Sequence, residues 1–261
     1  MRNFTRLSSF LICLYAFLFV SNHVNSGEVD KKLFQNCICP TVYIGQVTGN
    51  SYGSGVIVRS EKVKPHQYKN VFITCGHIVN NTVLDYEVRQ YIYEDYSQIK
   101  EVRSFPAVFN AVNHEQDVAV GVFYSDTKMP VVQLDFDPKL YIGNELYRVG
   151  CGVGEDPRLD YGKLTLFRKN AIKPYMRTSV MTVPGDSGSP LFHEYKVVGI
   201  VVAIRNYHNL PIFSISYAIP LKTFQTWSKS YKNAIDYAWD DDEDLPELPF
   251  YYLKFKEYEI K

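Results

Sequence analysis

The stretch Val183-Pro184-Gly185-Asp186-Ser187-Gly188-Ser189-Pro190 holds a serine between two glycines, and a proline lies on either side of them. Glycine permits a sharp backbone turn and lets amide N–H groups come close to a reacting atom. A serine hydroxyl becomes an effective nucleophile only with a general base in reach and with donors facing the developing oxyanion. The stretch is therefore either an ordinary glycine-containing loop or a nucleophile loop, and partners elsewhere in the chain decide between them.

Two upstream residues are candidate partners of Ser187. His77 follows the apolar segment Val71–Thr74 in a turn of small residues, and Asp117 immediately precedes the apolar segment Val118–Phe123. Each of them alone would be read as a packed, surface or turn residue. The order His, Asp, Ser, at intervals of 40 and 70 residues, instead favours a catalytic set.

Short apolar segments separated by turn residues recur along most of the chain, which is typical of an all-β protein built from barrels or sandwiches. The one clear helical segment is Leu221 to Tyr231. A polar, proline-bearing stretch from Ser125 to Pro138 divides the strands into two groups. We therefore expect an N-terminal barrel over 27–127 and a C-terminal barrel with the helix over 128–231.

The residues at the two ends of the chain are set apart by composition. Arg2 and Arg6 precede the apolar run Phe10–Val20, and small residues follow it, which is typical of a signal peptide over 1–26 and predicts a secreted or extracytoplasmic protein. An uncleaved signal-anchor is the competing interpretation. The segment 232–261 is an acidic and aromatic tail, whose run Asp240–Asp244 we interpret as a solvated surface loop.

Four cysteines remain after the signal peptide, Cys37, Cys39, Cys75 and Cys151. Export would expose them to an oxidising compartment, so we expect disulfides. Cys37 and Cys39 are too close in sequence for easy closure on each other, which favours bonds from the N-terminal segment to Cys75, to Cys151 or to both. A four-thiolate zinc site is a weaker alternative, since only one short Cys-x-Cys pair is present.

Three ordered blocks resemble those of the trypsin-like, chymotrypsin-fold serine peptidases, and the resemblance spans about Val42 to Trp227. The segment Phe72-Ile73-Thr74-Cys75-Gly76-His77 is similar to the Thr-Ala-Ala-His block, with Cys and Gly in place of the alanines. Asp117-Val118-Ala119-Val120 and Gly185-Asp186-Ser187-Gly188-Ser189-Pro190 are similar to the aspartate and nucleophile blocks. The segment Ser214–Pro220 is similar to the closing strand of the HtrA-type and other bacterial-type branches, although the residues after the helix are too few for the PDZ domain of the HtrA type.

The resemblance implies two antiparallel Greek-key β-barrels with the active-site cleft between them. It implies that Ser187 is the nucleophile, that His77 is the general base and acid, and that Asp117 orients the imidazole. The amides of Gly185 and Ser187 would form the oxyanion hole. No metal or other cofactor is implied, and the expected substrates are proteins or peptides.

Three departures from the family pattern leave questions open. The chain lacks the Ile-Val-Gly-Gly tetrapeptide whose new amino terminus pairs with the aspartate before the nucleophile in the digestive branch, so the partner of Asp186 is either a terminus near Gly27 or a local basic residue. The serine that usually binds the triad aspartate aligns with Val202. The substrate pocket aligns with Met181, Ile204 and Ile215, and these apolar residues predict a preference for small aliphatic side chains before the cut.

The resulting prediction is a secreted serine endopeptidase that acts through a Ser-His-Asp triad and an acyl-enzyme. Two alternatives stay open, a protease-like binding module without turnover and an esterase. Lys plus Arg and Asp plus Glu each number 28, so charge gives no indication of a nucleic-acid partner. We expect no stable membrane insertion after signal cleavage, and the sequence does not indicate an oligomeric state.

Overall fold

The structure is a computed structural model, and it describes residues 30–80, 85–169, 171–207 and 210–230. The expected signal peptide, the acidic run and the aromatic tail segment lie outside these residues. Strands make up most of the described chain. None of the described helices is long and apolar enough to cross a membrane.

The first six strands form a closed antiparallel barrel with the order β1-β2-β3-β6-β5-β4. The strands are β1 (Thr41–Gln46), β2 (Tyr52–Lys64), β3 (Gln67–Thr74), β4 (Tyr86–Tyr93), β5 (Ile99–Asn113) and β6 (Val118–Ser125). Because β6 pairs with β3, the end of β3 that leads to His77 lies beside the start of β6, which follows Asp117 directly. In register, Thr74 at the end of β3 faces Ala119 near the start of β6.

The later strands form a second ring. They are β7 (Gln133–Leu134), β8 (Glu145–Gly150), β9 (Arg158–Arg168), β10 (Tyr175–Thr178), β11 (Pro190–His193), β12 (Lys196–Tyr207) and β13 (Leu210–Pro220). The sheet order is β11-β8-β9-β10-β13-β12-β7, and an additional β11–β12 pairing closes six of these strands on themselves. The short strand β7 joins β12 by the parallel pairing of this sheet.

Apart from two 3₁₀ turns, Gly76–Ile78 and Gly152–Gly154, the helical structure of the described residues lies before the first strand and after the last one. A short helical turn, Lys31–Leu33, continues into a π-helical turn, Phe34–Ile38, ahead of β1. Helix α1 (Leu221–Ser230) follows β13 directly. The expected all-β class with two barrels and a C-terminal helix is confirmed.

Three groups of buried apolar side chains hold the structure together. One fills the first barrel and includes Val42, Ile57 and Phe72, and another fills the second ring and includes Leu146 and Met176. The largest group contains residues of both barrels, among them Val56, Val120, Tyr147, Phe192 and Ile200. Burial of this shared apolar surface fixes the first barrel against the second, and the side chains that meet at their junction are thereby held in place.

Several strands were not predicted from sequence, namely β4, β7, β10 and β11. The turn between β11 and β12 shows one reason. Its central residues, Glu194 and Tyr195, both have positive φ values of 48° and 64°, as a two-residue type I′ turn requires. That turn is ordinarily recognised by Asn-Gly or Asp-Gly, so this hairpin carries no clear sequence signal.

Candidate active site

His77 lies just beyond β3, in the single 3₁₀ turn Gly76–Ile78. The strand ends at Thr74 and Cys75 is still extended, so the turn carries the imidazole out of the sheet. The side chain of His77 is 45% exposed, whereas the residues on either side of it in the turn are buried. The local chain path thus anchors the backbone in the core and presents the ring to solvent.

Asp117 binds both the backbone and the ring of His77. Its Oδ1 accepts a hydrogen bond from the backbone N–H of His77 at 2.7 Å, and Nδ1 of the imidazole lies 3.0 Å from Oδ1 and 2.9 Å from Oδ2. Asp117 has a positive φ of 55°, a conformation that aspartate tolerates better than most residues. Because an ionised carboxylate can only accept, Nδ1 must carry the proton and Nε2 is left as the acceptor.

Ser187 is on the other side of the imidazole. Its Oγ lies 2.9 Å from Nε2 of His77, which is hydrogen-bond distance. The structure therefore brings together the three residues Ser187, His77 and Asp117, although the first is 110 positions from the second along the chain. A hydroxyl, an imidazole and a carboxylate therefore lie in one connected line, which is the arrangement that an activated nucleophile requires.

The loop around Ser187 depends on two glycines. Gly185 has a φ of +94°, and a Cβ placed there would lie 2.8 Å from the amide nitrogen of Val153. Gly188 has a φ of +87°, and its Cβ would lie 2.0 Å from the carbonyl oxygen of Ser54. A side chain at either position would therefore displace backbone as well as strain φ.

The amides expected to form the oxyanion hole are available. Within the described part of the chain, the N–H groups of Gly185 and Ser187 donate to no acceptor, whereas the neighbouring amides of Asp186 and Gly188 donate to Val183 and Val201. Unpaired N–H groups beside a nucleophile are the arrangement that binds a developing oxyanion.

Ser54 on β2 connects the nucleophile loop to the first barrel. Its side chain is fully buried, and its Oγ donates to the carbonyl oxygen of Gly185 at 2.8 Å while accepting from the amide of Cys151 at 2.8 Å. The amide of Ser54 donates to the carbonyl of Ser187 at 2.7 Å. This residue was not singled out from the sequence, because a serine in a glycine-rich strand has no distinctive local pattern.

The partner of Asp186 is Arg148 on β8. Both side chains are fully buried, and the Nη1 group of Arg148 donates to Oδ1 of Asp186. The second Nη group of Arg148 donates to Asp160, and the half-exposed guanidinium of Arg158 lies 3.7 Å from Asp186. A local basic residue therefore faces Asp186 in this structure.

Burial and neighbouring charges shift the pKa values of both groups in this ion pair. Burial raises the pKa of Asp186, and the positive charge of Arg148 opposes the shift. Burial lowers the pKa of Arg148, and the carboxylates of Asp186 and Asp160 oppose it. Asp186 also accepts the amide of Val183 at 2.8 Å through Oδ2, so the pair fixes the segment that leads into Gly185. The sequence feature that could have predicted this pair is an arginine inside an apolar strand, because a buried arginine is almost always paired with an acid.

Among the described residues, Cys39, Cys75 and Cys151 are free thiols and Cys37 lies against a tyrosine hydroxyl, so the expected disulfides are not formed there. Two of the four thiols lie close to a polar side chain. Cys37 Sγ lies 3.8 Å from the Tyr147 hydroxyl, and Cys75 Sγ lies 3.7 Å from Nε2 of His77. The disulfide prediction rested on spacing and an assumed compartment, and neither of these decides which thiols meet in the folded chain.

The three predicted pocket residues lie on three segments: the stretch that leads into the nucleophile loop, β12 and β13. Met181 is 48% exposed, and its carbonyl oxygen accepts from Nε of Arg148 at 3.1 Å. Ile204 on β12 and Ile215 on β13 are half-buried. The strand β12 is tied to the nucleophile loop by Val201, which accepts from Gly188 and donates to Ser189.

A polar pair next to these residues was missed by the sequence analysis. Thr178 and Ser216 are buried, and their hydroxyl oxygens lie 2.7 Å apart. Ser216 is the register partner of Ile204. Val202, which stands where the family has a serine, is partly buried and packs against the apolar group of the first barrel and against the group that both barrels share.

Comparison with known proteins agrees with this fold. Residues 53–200, more than half of the chain, match the trypsin-like peptidase domain. The chain therefore belongs to the trypsin-like peptidase family.

The chain is also similar to the putative protease Do-like 14 of Arabidopsis thaliana. The two are 21% identical over 209 residues, which cover 76% of this chain and 45% of the relative. The chain thus spans less than half the length of that curated relative.

Proposed function

We propose that the protein is a serine endopeptidase that cleaves peptide bonds through an acyl-enzyme formed on Ser187. The observation that carries the proposal is the continuous contact from Asp117 to Nδ1 of His77 and from Nε2 of His77 to Oγ of Ser187. Each contact lies within hydrogen-bond distance, and together they leave Nε2 of His77 facing the Ser187 hydroxyl.

The proposed reaction begins with attack of Ser187 Oγ on the scissile carbonyl carbon. The hydroxyl proton passes to Nε2 of His77, and the amides of Gly185 and Ser187 bind the oxyanion that forms. His77 returns the proton to the leaving amine as the C–N bond breaks. A water molecule then loses a proton to His77, attacks the ester carbonyl, and releases the acid with the Ser187 hydroxyl restored.

The carboxylate of Asp117 has an orienting role in this scheme. It holds Nδ1–H and the backbone N–H of His77 together, so the ring cannot turn its basic nitrogen away from Ser187. It also stabilises the imidazolium while the ring carries two protons. The acid itself stays ionised throughout.

The direct test is labelling of the folded protein with a serine-directed phosphonate. We expect one label on the wild type and none on Ser187→Ala or His77→Ala, with peptide hydrolysis reduced by about 10⁴-fold or more in both. Ser97→Ala is the matched control, because this exposed serine lies in the β4–β5 connection and its hydroxyl only contacts Asp95.

The same experiment separates the competing functions. A well-folded wild type that takes no label and cleaves no peptide would contradict the proposal and favour a binding module. Labelling together with ester turnover, but without cleavage of any peptide or protein, would favour an esterase instead.

We further propose that the residue before the cut is small and aliphatic. Met181, Ile204 and Ile215 are apolar, and none of them offers a charge to a basic substrate side chain. A panel of peptides that vary at this position should show the highest kcat/KM with Ala or Val. Strong cleavage after Arg or Lys would overturn this preference.

Export is a separate proposal, supported by the basic start and the apolar run Phe10–Val20. Expression of the full chain in secretory cells should place the mature protein in the medium with an amino terminus near Gly27. Recovery in the cell membrane with residues 1–26 retained would favour the signal-anchor alternative.

A further inference from the structure

A buried thiol lies against the imidazole that faces Ser187. Cys75 is fully buried two residues before His77, and its Sγ lies 3.7 Å from Nε2. The proposed hydrolysis makes no use of this thiol. One ligand atom from each of Cys75, His77 and Asp117 lies within 4.8 Å of the other two. A thiol, which is a soft metal ligand, and an imidazole, which is a borderline one, therefore lie next to a carboxylate.

The spacing of the sulfur and nitrogen atoms suits a tetrahedral metal ion. Zinc binds Cys at about 2.3 Å and His at about 2.0–2.1 Å, which places the two ligand atoms about 3.5 Å apart in a tetrahedral site. The observed separation of 3.7 Å between Cys75 Sγ and His77 Nε2 needs only a small adjustment.

The imidazole is already oriented as a metal ligand. A histidine that binds a metal through one nitrogen usually donates the other N–H to a carboxylate, which fixes the tautomer. His77 does this through Nδ1 and Asp117, at 2.9 Å. The same contact that leaves Nε2 as a base for Ser187 therefore also leaves it as a ligand.

Charge at the site favours a cation. The carboxylate of Asp117 lies 2.9 Å from Nδ1 of His77 and contributes negative charge next to the two ligands. A divalent ion that binds there replaces the proton of the Cys75 thiol. The side chain of His77 is 45% exposed, so the imidazole is open to solvent on part of its surface.

We infer that Cys75 and His77 form an inhibitory site for a soft divalent cation such as Zn²⁺ or Cd²⁺. Binding releases the thiol proton and forms bonds from the metal to Sγ of Cys75 and Nε2 of His77. Nε2 can then no longer accept the proton of Ser187, so the nucleophile is not activated. The effect on turnover rests on the proposed function, but metal binding itself does not.

The test uses the full chain and two readouts. Zn²⁺ should inhibit peptide hydrolysis reversibly, with recovery on chelation, and the inhibitory concentration should rise at least tenfold in Cys75→Ala. Alanine stands at this position in the family block, so basal activity should persist in the variant. Cys39→Ala is the matched control, because Cys39 lies on the N-terminal segment outside the site. Mg²⁺, which prefers oxygen ligands, should not inhibit.

The second readout is the ultraviolet absorption of a cadmium–thiolate bond. We expect one Cd²⁺ to give this absorption in the wild type, in Cys39→Ala and in the inactive Ser187→Ala, but not in Cys75→Ala. If Cys75→Ala fails to fold, Cys75→Ser takes its place, since a serine oxygen preserves shape but is a poor ligand for Cd²⁺.

The outcomes separate the two proposals. Equal Zn²⁺ inhibition of wild type and Cys75→Ala, or equal Cd²⁺ absorption, would overturn the metal site and leave the peptidase mechanism intact. Cd²⁺ absorption that depends on Cys75, in a protein that takes no phosphonate label, would support the metal site and refute the proposed function.

Discussion

The hydroxyl group of Ser54 donates a hydrogen bond to the carbonyl oxygen of Gly185 at 2.8 Å, although the two residues are 131 positions apart. Ser54 belongs to the first barrel, and Gly185 begins the nucleophile loop. His77 is also part of the first barrel, so this contact fixes the distance between the base and the nucleophile. The junction of the two barrels is therefore held by specific hydrogen bonds as well as by apolar packing.

Replacement of Ser54 by alanine should loosen that junction. The variant leaves the carbonyl of Gly185 and the amide of Cys151 without the hydroxyl that they share. We expect the free energy of unfolding to fall by about 1–3 kcal/mol. Loss of an oxyanion donor lowers kcat by about 10²-fold, and we expect a smaller decrease here. Chemical denaturation and steady-state hydrolysis measure the two effects.

Ser125→Ala is the control for this prediction. Ser125 is also buried, but its hydroxyl contacts Asn70 and Thr127 at the far end of β6. Its loss should lower stability without changing kcat. Equal kcat in wild type and Ser54→Ala would show that the junction does not depend on this hydroxyl.

Replacement of Arg148 by methionine should affect both stability and catalysis. Asp186 would remain buried without its main countercharge, which typically costs about 3–5 kcal/mol. The segment that Asp186 holds leads into Gly185, so we expect kcat to fall by about 10²-fold, as for loss of an oxyanion donor. Thermal denaturation and phosphonate labelling rates are the measurements.

Two further variants define the origin of that effect. Arg158→Gln removes a half-exposed guanidinium 3.7 Å from Asp186 and should change stability by less than about 1 kcal/mol. Asp186→Asn in the Arg148→Met background removes the unpaired charge and should recover part of the stability. If Arg148→Met were fully active, an amino terminus or another cation would have to pair with Asp186.

Alanine at position 185 should abolish most of the activity. The residue has a φ of +94°, and an added Cβ would lie 2.8 Å from a backbone nitrogen and 2.9 Å from a backbone oxygen. We expect kcat to fall by at least about 10²-fold, because the amide of this residue is a proposed oxyanion donor.

The variant Gly143→Ala separates the effect of a strained backbone φ from the effect of steric crowding around the added Cβ. Gly143 has a similar φ of +95°, but nothing lies within 4 Å of a Cβ built there. Its replacement should cost about 1 kcal/mol of stability and leave kcat unchanged. A comparable loss of activity in both variants would contradict a local effect at the oxyanion hole.

The buried thiol of Cys151 should make the protein sensitive to alkali. Burial raises its pKa from an ordinary value of 9.0 to about 12. The protonated thiol is therefore favoured in the folded state, and its contribution is complete below pH 9 and declines as pH rises towards 12. Each pH unit in that window should lower the free energy of unfolding by about 1.4 kcal/mol.

The measurement is the thermal midpoint under reducing conditions from pH 8 to pH 10.5. Cys151→Ala should show a flatter decline above pH 9 than the wild type, because that thiol no longer titrates. Identical slopes for the two proteins would mean that other buried groups, such as tyrosines, account for the alkaline transition.

The sequence predicted the parts of the site that are marked by local chemistry. A serine between glycines, an acid at a strand start and a histidine in a small-residue turn are each readable within a few residues, and their order indicated one catalytic set. The all-β class followed from the recurrence of short apolar segments, because alternation and turn residues are properties of neighbouring positions.

The contacts that hold the site were not readable in this way. The choice of Arg148 as partner of Asp186, and of Ser54 as partner of Gly185, depends on which strands adjoin the nucleophile loop. The same reason made the disulfide prediction wrong, since Cys37 meets Tyr147 and Cys75 meets His77. The spacing of two residues in the sequence limits how far apart they can lie, but it does not determine which residues become neighbours in a folded barrel.

The sequence by itself thus determined the residue types that the proposed chemistry needs and the turn that presents the serine, because these depend on local backbone freedom and on functional groups. The tertiary structure decided how they are held: strand order β3-β6 joins Asp117 to His77, and the packing of the two barrels brings Ser187 to the same imidazole. It also placed a buried thiol behind that ring. The distances between residues that are far apart in sequence depend on how many apolar side chains pack together at once. A short stretch of sequence does not contain that information.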